Sequence, residues 1–487
     1  MSTRTVPPVL HASSPRPKPK RRRSPAARLV APPPLPVKST LPRLVSAKGG
    51  DHQAIHRLLL AAFQGPTSEE FHAQLGEPGY DPADRLVVKQ GEHLAAHVRA
   101  TRRTIRLGSL AIPSVRLMDL ATAAEQRGLG FASSLIVAAE RRAREQGVFV
   151  GLTRTRAAML FARQGWSVCG RHTFSTAGAR QILAQLNATS EGVIGPRERD
   201  DTCSLMRTRP LKIAIRPLRR IELPAVIRLY EQSLAGRFGS PLRSDAYWEW
   251  LINRAACDRI YVAAEGPESP DLSQQLANIR GAVFIREGRM VELLVEAGRR
   301  DIAEHLTARV CADASEQDHW QLRLDSPADD PLHDLFQAAG GRFHQAEVVG
   351  GEVFMAKVMN PLGLLALLGG TLADRLRDAE LTKPLQFGLE IQCGAQPHRA
   401  HAVEVARLRL VFAEGAMTVV KQPLVRNYLS LRRRDLTPLL LGHWNLPDLI
   451  AAGRIRASTP GAAQIGRVLF PKLPWWRPPL DDLLAQG

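Results

Sequence analysis

A short stretch, EQRGLGFASS, holds the residue types and spacing most suited to chemistry, and it begins at Glu125. Gly128 and Gly130 let the backbone approach a ligand without a side chain in the way. An amphipathic helical pattern starts at Phe131, and the free N–H groups of a first helical turn favour negative charge. The stretch therefore predicts an anion site for a pyrophosphate, although an ordinary glycine-containing loop has the same short pattern.

The elements on either side of this loop would position it. An apolar run, LMDLAT, ends at Thr122 and predicts a strand, and the helix after the loop ends at Gly147. A second predicted strand, VFVGLT, leads into a further helix that stops at Gly165. Strand, glycine-rich turn and helix N-terminus together form an arrangement that binds phosphates.

Two motifs make this segment resemble the GCN5-related N-acetyltransferase (GNAT) superfamily. The acetyl-CoA loop of that superfamily is written R-x-x-G-x-G/A, which Arg127, Gly130 and Ala132 match in order. The later turn of the superfamily, F-x-x-x-G-aromatic, is matched from Phe161 to Trp166. Because several matches occur in the expected order, the resemblance is more specific than the loop alone.

The resemblance assigns cofactor contacts to the strand and to the loop. It implies that the pantetheine of acetyl-CoA pairs with the strand around Leu120, Ala121 and Thr122. It also implies that the pyrophosphate lies on backbone amides of the loop residues Gln126, Arg127, Gly128, Leu129, Gly130, Phe131, Ala132 and Ser133.

Acetyl transfer to an amine also needs a base for the amine proton and help for the departing thiolate. Asp119 is the only acid on the strand, and it is either that base or the cap of a neighbouring turn. In the superfamily a tyrosine often protonates the thiolate, and Phe161 stands at that position here. In a narrower family within this superfamily the terminal carboxylate is the base, and a resemblance to that family would imply this role for Gly487, although Leu484–Gly487 continue past the family pattern.

Length and composition narrow the class of protein. A chain of 487 residues predicts about three domains. A hydrophobic content of 44% and a charged content of 23% are typical of a soluble globular protein, and no apolar run is long enough to span a membrane. The five cysteines are far apart in sequence, which favours a reducing compartment and argues against a structural zinc site. We therefore expect a cytoplasmic protein without a metal site.

Residues 1–42 are predicted to be a disordered, basic, proline-rich tail. Residues 1–50 hold 11 Lys and Arg and no Asp or Glu, which is more than half of the net charge of +19. Such a tail either contacts nucleic acid or another polyanion, or stays solvated without a specific partner.

The rest of the chain is predicted to contain two related folds in tandem. Residues 43–205 read as strand, helix and three strands, followed by the loop and helix described above, which is the order found in the GNAT superfamily. At residue 211 a similar opening starts again. In this second copy, EAGRRDIAEHL replaces the loop motif and carries acids where phosphates would bind. We therefore interpret residues 211–358 as a degenerate GNAT fold that binds no cofactor.

Residues 359–487 form the third predicted domain. Its segments RRDLTPLLLGHWNLPDLIAAGRIRAS and LFPKLPWW resemble the sterol-carrier-like C-terminal domain of the enhanced intracellular survival acetyltransferases. The expected fold is thus two tandem GNAT folds, each a mixed and mostly antiparallel sheet with flanking helices, followed by a sterol-carrier-protein-like α+β domain.

The sequence supports two hypotheses on function. The first is an N-acetyltransferase that uses acetyl-CoA as acyl donor and transfers the acetyl group to an amine of a small molecule or peptide. The second is a non-catalytic scaffold that senses acyl-CoA or lipid, which the phenylalanine at position 161 favours. The identity of the acceptor and the formation of a homo-oligomer are left open by the sequence.

Overall fold

The computed structural model describes residues 41–192, 213–234, 237–266, 271–317, 320–381, 384–393 and 404–485. The predicted tail lies outside this part of the chain apart from its last two residues. No helix within these stretches is long and apolar enough to cross a membrane.

The first part of the chain builds strands and helices around an apolar core. Its strands are β1 (Arg43–Ser46), β2 (Arg85–Gln90), β3 (His93–Leu107), β4 (Leu110–Thr122), β5 (Val150–Thr155) and β6 (Ser167–Arg171). Its helices are α1 (His52–Phe63), α2 (Ser68–Leu75), α3 (Phe131–Glu145) and α4 (Ala158–Arg163). In α3 the buried Leu135, Ile136 and Ala139 share one face, because helical residues three and four apart are neighbours.

The middle part of the chain also contains both strands and helices. Its strands are β7 (Thr173–Gly178), β8 (Ile213–Pro217), β9 (Phe238–Pro241), β10 (Arg259–Glu265), β11 (Ile279–Arg286), β12 (Arg289–Val295), β13 (Gln321–Asp325), β14 (Arg342–Gln345) and β15 (Val353–Val358). Its helices are α5 (Ala179–Gly192), α6 (Leu223–Ser233), α7 (Asp245–Asn253), α8 (Leu272–Asn278), α9 (Arg300–Glu316) and α10 (Leu332–Ala338).

These strands form two sheets with the same order of equivalent strands. The first sheet runs β1-β2-β3-β4-β5-β15-β6, with β9 added against β3, and the second runs β8-β10-β11-β12-β13-β7-β14. In both sheets the neighbours are antiparallel except for one central parallel pair, which is β4 with β5 in the first sheet and β12 with β13 in the second. The described chain therefore contains mixed sheets with flanking helices, arranged as two related folds.

The two sheets exchange one strand each. β7 directly follows β6 in sequence but pairs with β13 and β14 of the second sheet. β15 follows β14 in sequence but pairs with β5 and β6 of the first sheet. The segment predicted as the first fold, residues 43–205, thus contributes β7 and α5 to the second. Residues 211–358 contribute β15 to the first, and they also add the short strand β9 to it.

The last part of the chain forms a third sheet with its own helices. Its elements are α11 (Pro361–Leu367), α12 (Gly369–Asp378), β16 (Leu385–Cys393), β17 (Glu404–Ala413), β18 (Ala416–Val420), β19 (Tyr428–Arg432), α13 (Arg433–Leu440), α14 (Leu446–Ala451), β20 (Ile455–Ala457) and α15 (Pro460–Leu469). The sheet order is β18-β17-β16-β19-β20. Leu389 and Leu431 of this sheet belong to one apolar cluster with Leu152 and Val358 of the first sheet. The sterol-carrier-like character of this part stays a prediction.

Candidate functional site

β4 carries a bulge at Asp119. Arg99 of β3 lies opposite Met118, and His97 lies opposite Ala121, so β4 has one residue more than β3 between these two pairs. The φ angle of Asp119 is 54°, in the left-handed region that residues other than glycine seldom adopt. A bulge bends its strand and changes the direction of the side chains after it. The simple alternation of side chains expected along β4 therefore breaks at this residue.

Beyond the bulge, β4 separates from β5. Their parallel ladder extends from Ser114 opposite Val150 to Leu117 opposite Thr153, whereas β4 itself continues to Thr122. The hydroxyl of Thr153 donates a hydrogen bond to the carbonyl of Leu117 over 2.9 Å, at the end of this ladder. We call the opening between residues 118–122 of β4 and the end of β5 the fork. Backbone groups of β4 that face the fork can pair with an extended ligand as a neighbouring strand would.

The glycine-containing loop leads directly from the fork to α3. It comprises the eight residues 123–130, and it opens with a 3₁₀ turn at Ala124–Gln126. The φ angles of Gly128 and Gly130 are 83° and 82°, a conformation that costs glycine little. A methyl group added at either glycine would have no other atom within 4 Å, so the space beside the loop is open.

Residue Gly130 is also the N-cap of α3. Because glycine has no side chain, it leaves the first-turn N–H groups of Phe131, Ala132 and Ser133 without the cap that serine or aspartate would supply. The loop is exposed to solvent, and Leu129 at its tip is 62% exposed. The observed geometry is therefore that of an accessible anion site at a helix N-terminus.

The carboxyl group of Asp119 lies in a buried polar network. Its Oδ2 atom is 3.7 Å from Nη1 of Arg85, and its side chain is 6% exposed. Within the described residues this oxygen has no hydrogen-bond partner. Asp119 therefore forms an ion pair through Oδ2, and this same oxygen is left available for a proton donor.

Residue His97 holds the backbone of the bulge. Its Nδ1 lies 2.8 Å from the carbonyl oxygen of Asp119, and its Nε2 lies 3.2 Å from Nη1 of Arg85. Burial, together with the charge of Arg85, lowers the pKa of His97 to about 3, so the imidazole is neutral near pH 7. A carbonyl can only accept, so the proton is on Nδ1, and Nε2 accepts from the guanidinium.

The network continues from Arg85 towards α1. Nε of Arg85 donates to the hydroxyl of Tyr80 over 3.1 Å, and its Nη2 donates to Oε1 of Gln74 over 3.0 Å. The Tyr80 hydroxyl lies 2.8 Å from Nε2 of His52. These contacts fix the fully buried guanidinium and hence the position of the Asp119 carboxylate.

Residue Phe161 of α4 is buried, with 2% of its surface exposed. Its ring meets Trp166 edge to face, with 5.3 Å between the ring centroids. Both rings belong to the apolar cluster that includes Leu135, and Leu120 and Phe131 pack against the same cluster. The structure thus brings Phe161 into one cluster with residues of the fork and the loop, but its side chain has no group that could donate a proton.

The C-terminal segment enters the molecule between the two sheets. A 3₁₀ helix at Pro479–Ala485 carries Asp482, whose carboxylate forms ion pairs with Arg116 of β4, Arg154 of β5 and Arg477. Burial raises the pKa of Asp482, but the charges of these arginines outweigh it and hold the pKa at about 2. Asp482 is therefore an ionised structural group and a poor base. The terminal residue Gly487, predicted as a base, lies outside the described residues.

The corresponding region of the second sheet also has a bulge, in β12, and an opening between its parallel strands, but it differs at the loop. The loop between β12 and α9 has only the four residues 296–299, and Asp301 lies in the first turn of α9. Beside the opening between β12 and β13 lies a cavity of about 50 Å³, lined in part by Glu292, Asp325 and Asp330. Such a volume holds a few water molecules. Glu292 pairs with Arg243, and Asp325 pairs with Arg289 and Arg323.

Sequence reasoning missed Arg85, His97 and Asp482. In β3, His97 and Arg99 alternate with apolar residues, which is also the pattern of a strand with one face in water. The structure buries both faces of this strand, and the charged face meets carboxylates from distant segments. A histidine between apolar residues, two positions before Arg99, was the only local signal in the sequence.

A comparison with family models agrees with this geometry. Residues 43–169 match the model described as an acetyltransferase (GNAT) domain, and this range contains the fork, the loop and Phe161. No curated protein matches the sequence at a significant level.

Solved structures share the fold over most of the chain. A probable N-acyltransferase of unknown function from Enterococcus faecalis aligns with a TM-score of 0.64 and 15% identity, over 90% of this chain and 98% of that one. A GCN5-related N-acetyltransferase from Kribbella flavida aligns with a TM-score of 0.60 and 15% identity, over 90% of this chain and 98% of that one. Eis1 from Mycobacterium abscessus aligns with a TM-score of 0.59 and 15% identity, over 90% of this chain and 99% of that one. The resemblance inferred from the sequence is thereby confirmed as a GNAT domain within an Eis-like fold.

Proposed function

Because residues 43–169 are a GNAT acetyltransferase domain, we propose that the protein is an acetyl-CoA-dependent N-acetyltransferase with an amine as acceptor. The observation that carries this proposal is the continuity of the fork with the open loop at the start of α3. One site binds an extended, hydrogen-bonding chain and the next binds an anion, in the order in which coenzyme A carries a pantetheine arm and a pyrophosphate.

The cofactor contacts follow from this order. The pantetheine arm would pair with the backbone of Leu120, Ala121 and Thr122 along the fork. The pyrophosphate would accept hydrogen bonds from the amides of residues 126–133, where the dipole of α3 adds favourable charge. The left-handed glycines permit the close approach, because no Cβ atom intervenes.

Bound acetyl-CoA supplies an acetyl group activated as a thioester. The amine nitrogen forms a bond to the acetyl carbon, the carbon–sulfur bond breaks, and one proton must leave the nitrogen. We assign the acceptance of that proton to Asp119, directly or through one water, since its free Oδ2 lies at the bulge from which the fork opens. Arg85 and His97 position this carboxylate. The departing thiolate takes its proton from solvent, because Phe161 cannot donate one.

The remaining parts of the chain support other roles. The short second loop and the acids around it favour a second GNAT fold that binds no cofactor and completes the first through β15. The third sheet is proposed to be the sterol-carrier-like domain. Glu352 of the second part and the C-terminal Asp482 both pair with Arg154 at the end of β5, and Asp482 also pairs with Arg116.

A non-catalytic acyl-CoA sensor is the second candidate. It is favoured by one observation, the apolar and fully packed environment of Phe161 where an acid would be useful. A positioned acid contributes about 10²–10⁴-fold to such rates, so its loss slows the reaction without preventing it.

Incubation of the full chain with acetyl-CoA and a panel of primary amines distinguishes the N-acetyltransferase from the non-catalytic sensor. Release of free coenzyme A thiol should depend on the amine, and the acetylated amine should appear in equal amount. Tight acetyl-CoA binding without amine-dependent release across the panel would favour the sensor.

A further inference from the structure

A second cavity, of about 280 Å³, lies far from the fork. It opens where the last turns of α3, the end of α4, the end of β15 and the start of α13 meet. Its walls are formed by Glu140, Arg144, Gln164, Gly165, Lys357, Val358, Pro361, Arg433, Leu436 and Thr437. Arg144 is 13 residues after Phe131, so at ~1.5 Å per residue it lies ~20 Å along α3 from the loop. The cavity is therefore separate from the proposed cofactor site.

Two of the charged groups in this cavity neutralise each other. Nζ of Lys357 donates to Oε1 and Oε2 of Glu140 over 2.7 and 2.6 Å, and to the carbonyl of Gln164 over 2.6 Å. An ammonium group has three donors, so these contacts use all of them. Glu140 also accepts from Nε1 of Trp166 over 2.8 Å. The pair is saturated and contributes no net charge to a ligand.

Among the residues that the structure describes, two arginines of this cavity remain without an equal counter-charge. Arg144 approaches Glu140 only to 3.9 Å, and that carboxylate is already held by Lys357. Arg433, the first residue of α13, lines the same cavity. Burial lowers the pKa of Lys357, and the nearby charges of Arg433 and Arg144 lower it further, against the opposing effect of Glu140. The lining residues thus hold three cations and one carboxylate.

We propose that this cavity is a binding site for a small oxyanion, a phosphate or carboxylate group held between Arg144 and Arg433. Guanidinium groups bind both kinds of oxyanion through paired N–H donors. Val358, Pro361 and Leu436 form an apolar wall on which the rest of a small molecule can pack. Arg144 belongs to the first GNAT fold and Arg433 to the third sheet, so the ligand would link these parts. The inference does not rest on the proposed transferase activity.

The binding of inorganic phosphate or citrate to the full chain tests this site. Chloride at matched ionic strength is the reference. At about ten times the dissociation constant, we expect the effective oxyanion to raise the melting temperature by at least ~1 °C. The double variant Arg144→Gln/Arg433→Gln should bind it at least ~10-fold more weakly by calorimetry. The control is Arg141→Gln/Arg434→Gln, which makes the same charge change on the same two helices outside the cavity.

The outcomes separate clearly. Weaker oxyanion binding in Arg144→Gln/Arg433→Gln, with wild-type binding in the control variant, supports the proposed site. A preference for phosphate or for citrate identifies the anion class. An equal loss in both pairs, or no binding of either anion by the wild type, overturns it. Acetyl-CoA affinity should be the same in all variants. If the double variant melts earlier even in chloride, the single change Arg433→Gln, at an exposed residue, gives the same test.

Discussion

His172 and Glu352 lie 3.4 Å apart, from Nδ1 to Oε2, where the two exchanged strands cross between the sheets. His172 is the single residue between β6 and β7, and Glu352 directly precedes β15. Burial raises the pKa of Glu352, but the hydrogen bond with His172 and the charge of Arg154 outweigh it and bring the pKa to about 2. Both crossings thus meet at one contact, and neither of the first two sheets is complete without the other part of the chain.

The strand exchange predicts that residues 43–205 do not fold alone. This fragment lacks β15, so the backbone groups of β5 and β6 that pair with it are left as open edges. Size-exclusion chromatography and circular dichroism should show aggregated or unfolded material. Co-expression with residues 211–487, which supply β15, should recover a complex. A folded, monomeric 43–205 fragment would contradict the importance of the exchange.

The buried imidazole of His97 predicts a specific pH dependence of stability. Its pKa is about 3 in the folded chain against 6.5 ordinarily, so between these values the unfolded chain binds a proton that the folded chain does not. Stability is therefore lost as the pH falls below 6.5, by about 2 kcal/mol at pH 5 from this residue.

The variant His97→Asn keeps an N–H for the Asp119 carbonyl and cannot titrate. Denaturant unfolding at pH 7 and pH 5 should show a smaller difference than in the wild type, by about 2 kcal/mol. His93→Asn, an exposed site on the same strand, is the control and should keep the wild-type difference. If the stability difference between pH 7 and pH 5 were the same in His97→Asn as in the wild type, His97 would be accessible to protons in the folded chain.

Local patterns predicted the central part of the site. The loop with Gly128 and Gly130 and the start of α3 at Phe131 were predictable, because positive-φ glycines and helical periodicity are properties of neighbouring residues. The strands β2, β3, β4 and β5 were predictable as elements for the same reason.

Two features could not be read from the sequence. The segment Val353–Val358 has the same strand pattern whichever sheet it joins, so pairing with β5 was invisible. Asp119 has a left-handed backbone but is not a glycine, so no residue type in the sequence indicates the bulge. The partners of its carboxylate and carbonyl, Arg85 and His97, depend on how distant strands align. Long-range register determines all of these, and a single sequence does not specify it.

Asp482 is predicted to be essential for stability. The change Asp482→Asn keeps the shape of the side chain but removes the carboxylate that pairs with the buried Arg116 and Arg477. Removing one partner of a buried ion pair costs about 3–5 kcal/mol. The unfolding midpoint in urea should fall accordingly, whereas Asp378→Asn at an exposed helix end should leave it nearly unchanged. A wild-type midpoint in Asp482→Asn would show that water compensates these arginines.

A hydroxyl at position 161 should accelerate the reaction. In Phe161→Tyr we expect kcat to rise by about tenfold or more, because the thiolate gains an acid. Acetyl-CoA affinity should change little, since loop amides are proposed to provide it. Stability should fall by about 1–3 kcal/mol if the buried hydroxyl finds no partner. Phe161→Leu, which adds no donor, should not accelerate turnover. An already fast wild type with no gain in Phe161→Tyr would mean that another group protonates the thiolate.

Calorimetric titration of acetyl-CoA into the full chain tests the central claim most directly. We predict one site per chain, and we predict that Gly130→Ala weakens binding at least ~10-fold, as expected for a methyl group placed where the pyrophosphate approaches. Gly147→Ala and Gly298→Ala are matched controls. Their φ angles are 73° and 80° against 82° at Gly130, and in all three positions the added methyl meets no atom within 4 Å. The backbone strain is therefore similar, but Gly147 lies just beyond the C-terminal end of α3 and Gly298 lies in the second loop. Wild-type affinity in both controls with a loss in Gly130→Ala is the predicted result. Two sites per chain, or a loss in Gly298→Ala instead, would contradict the assignment of the cofactor to the first fork.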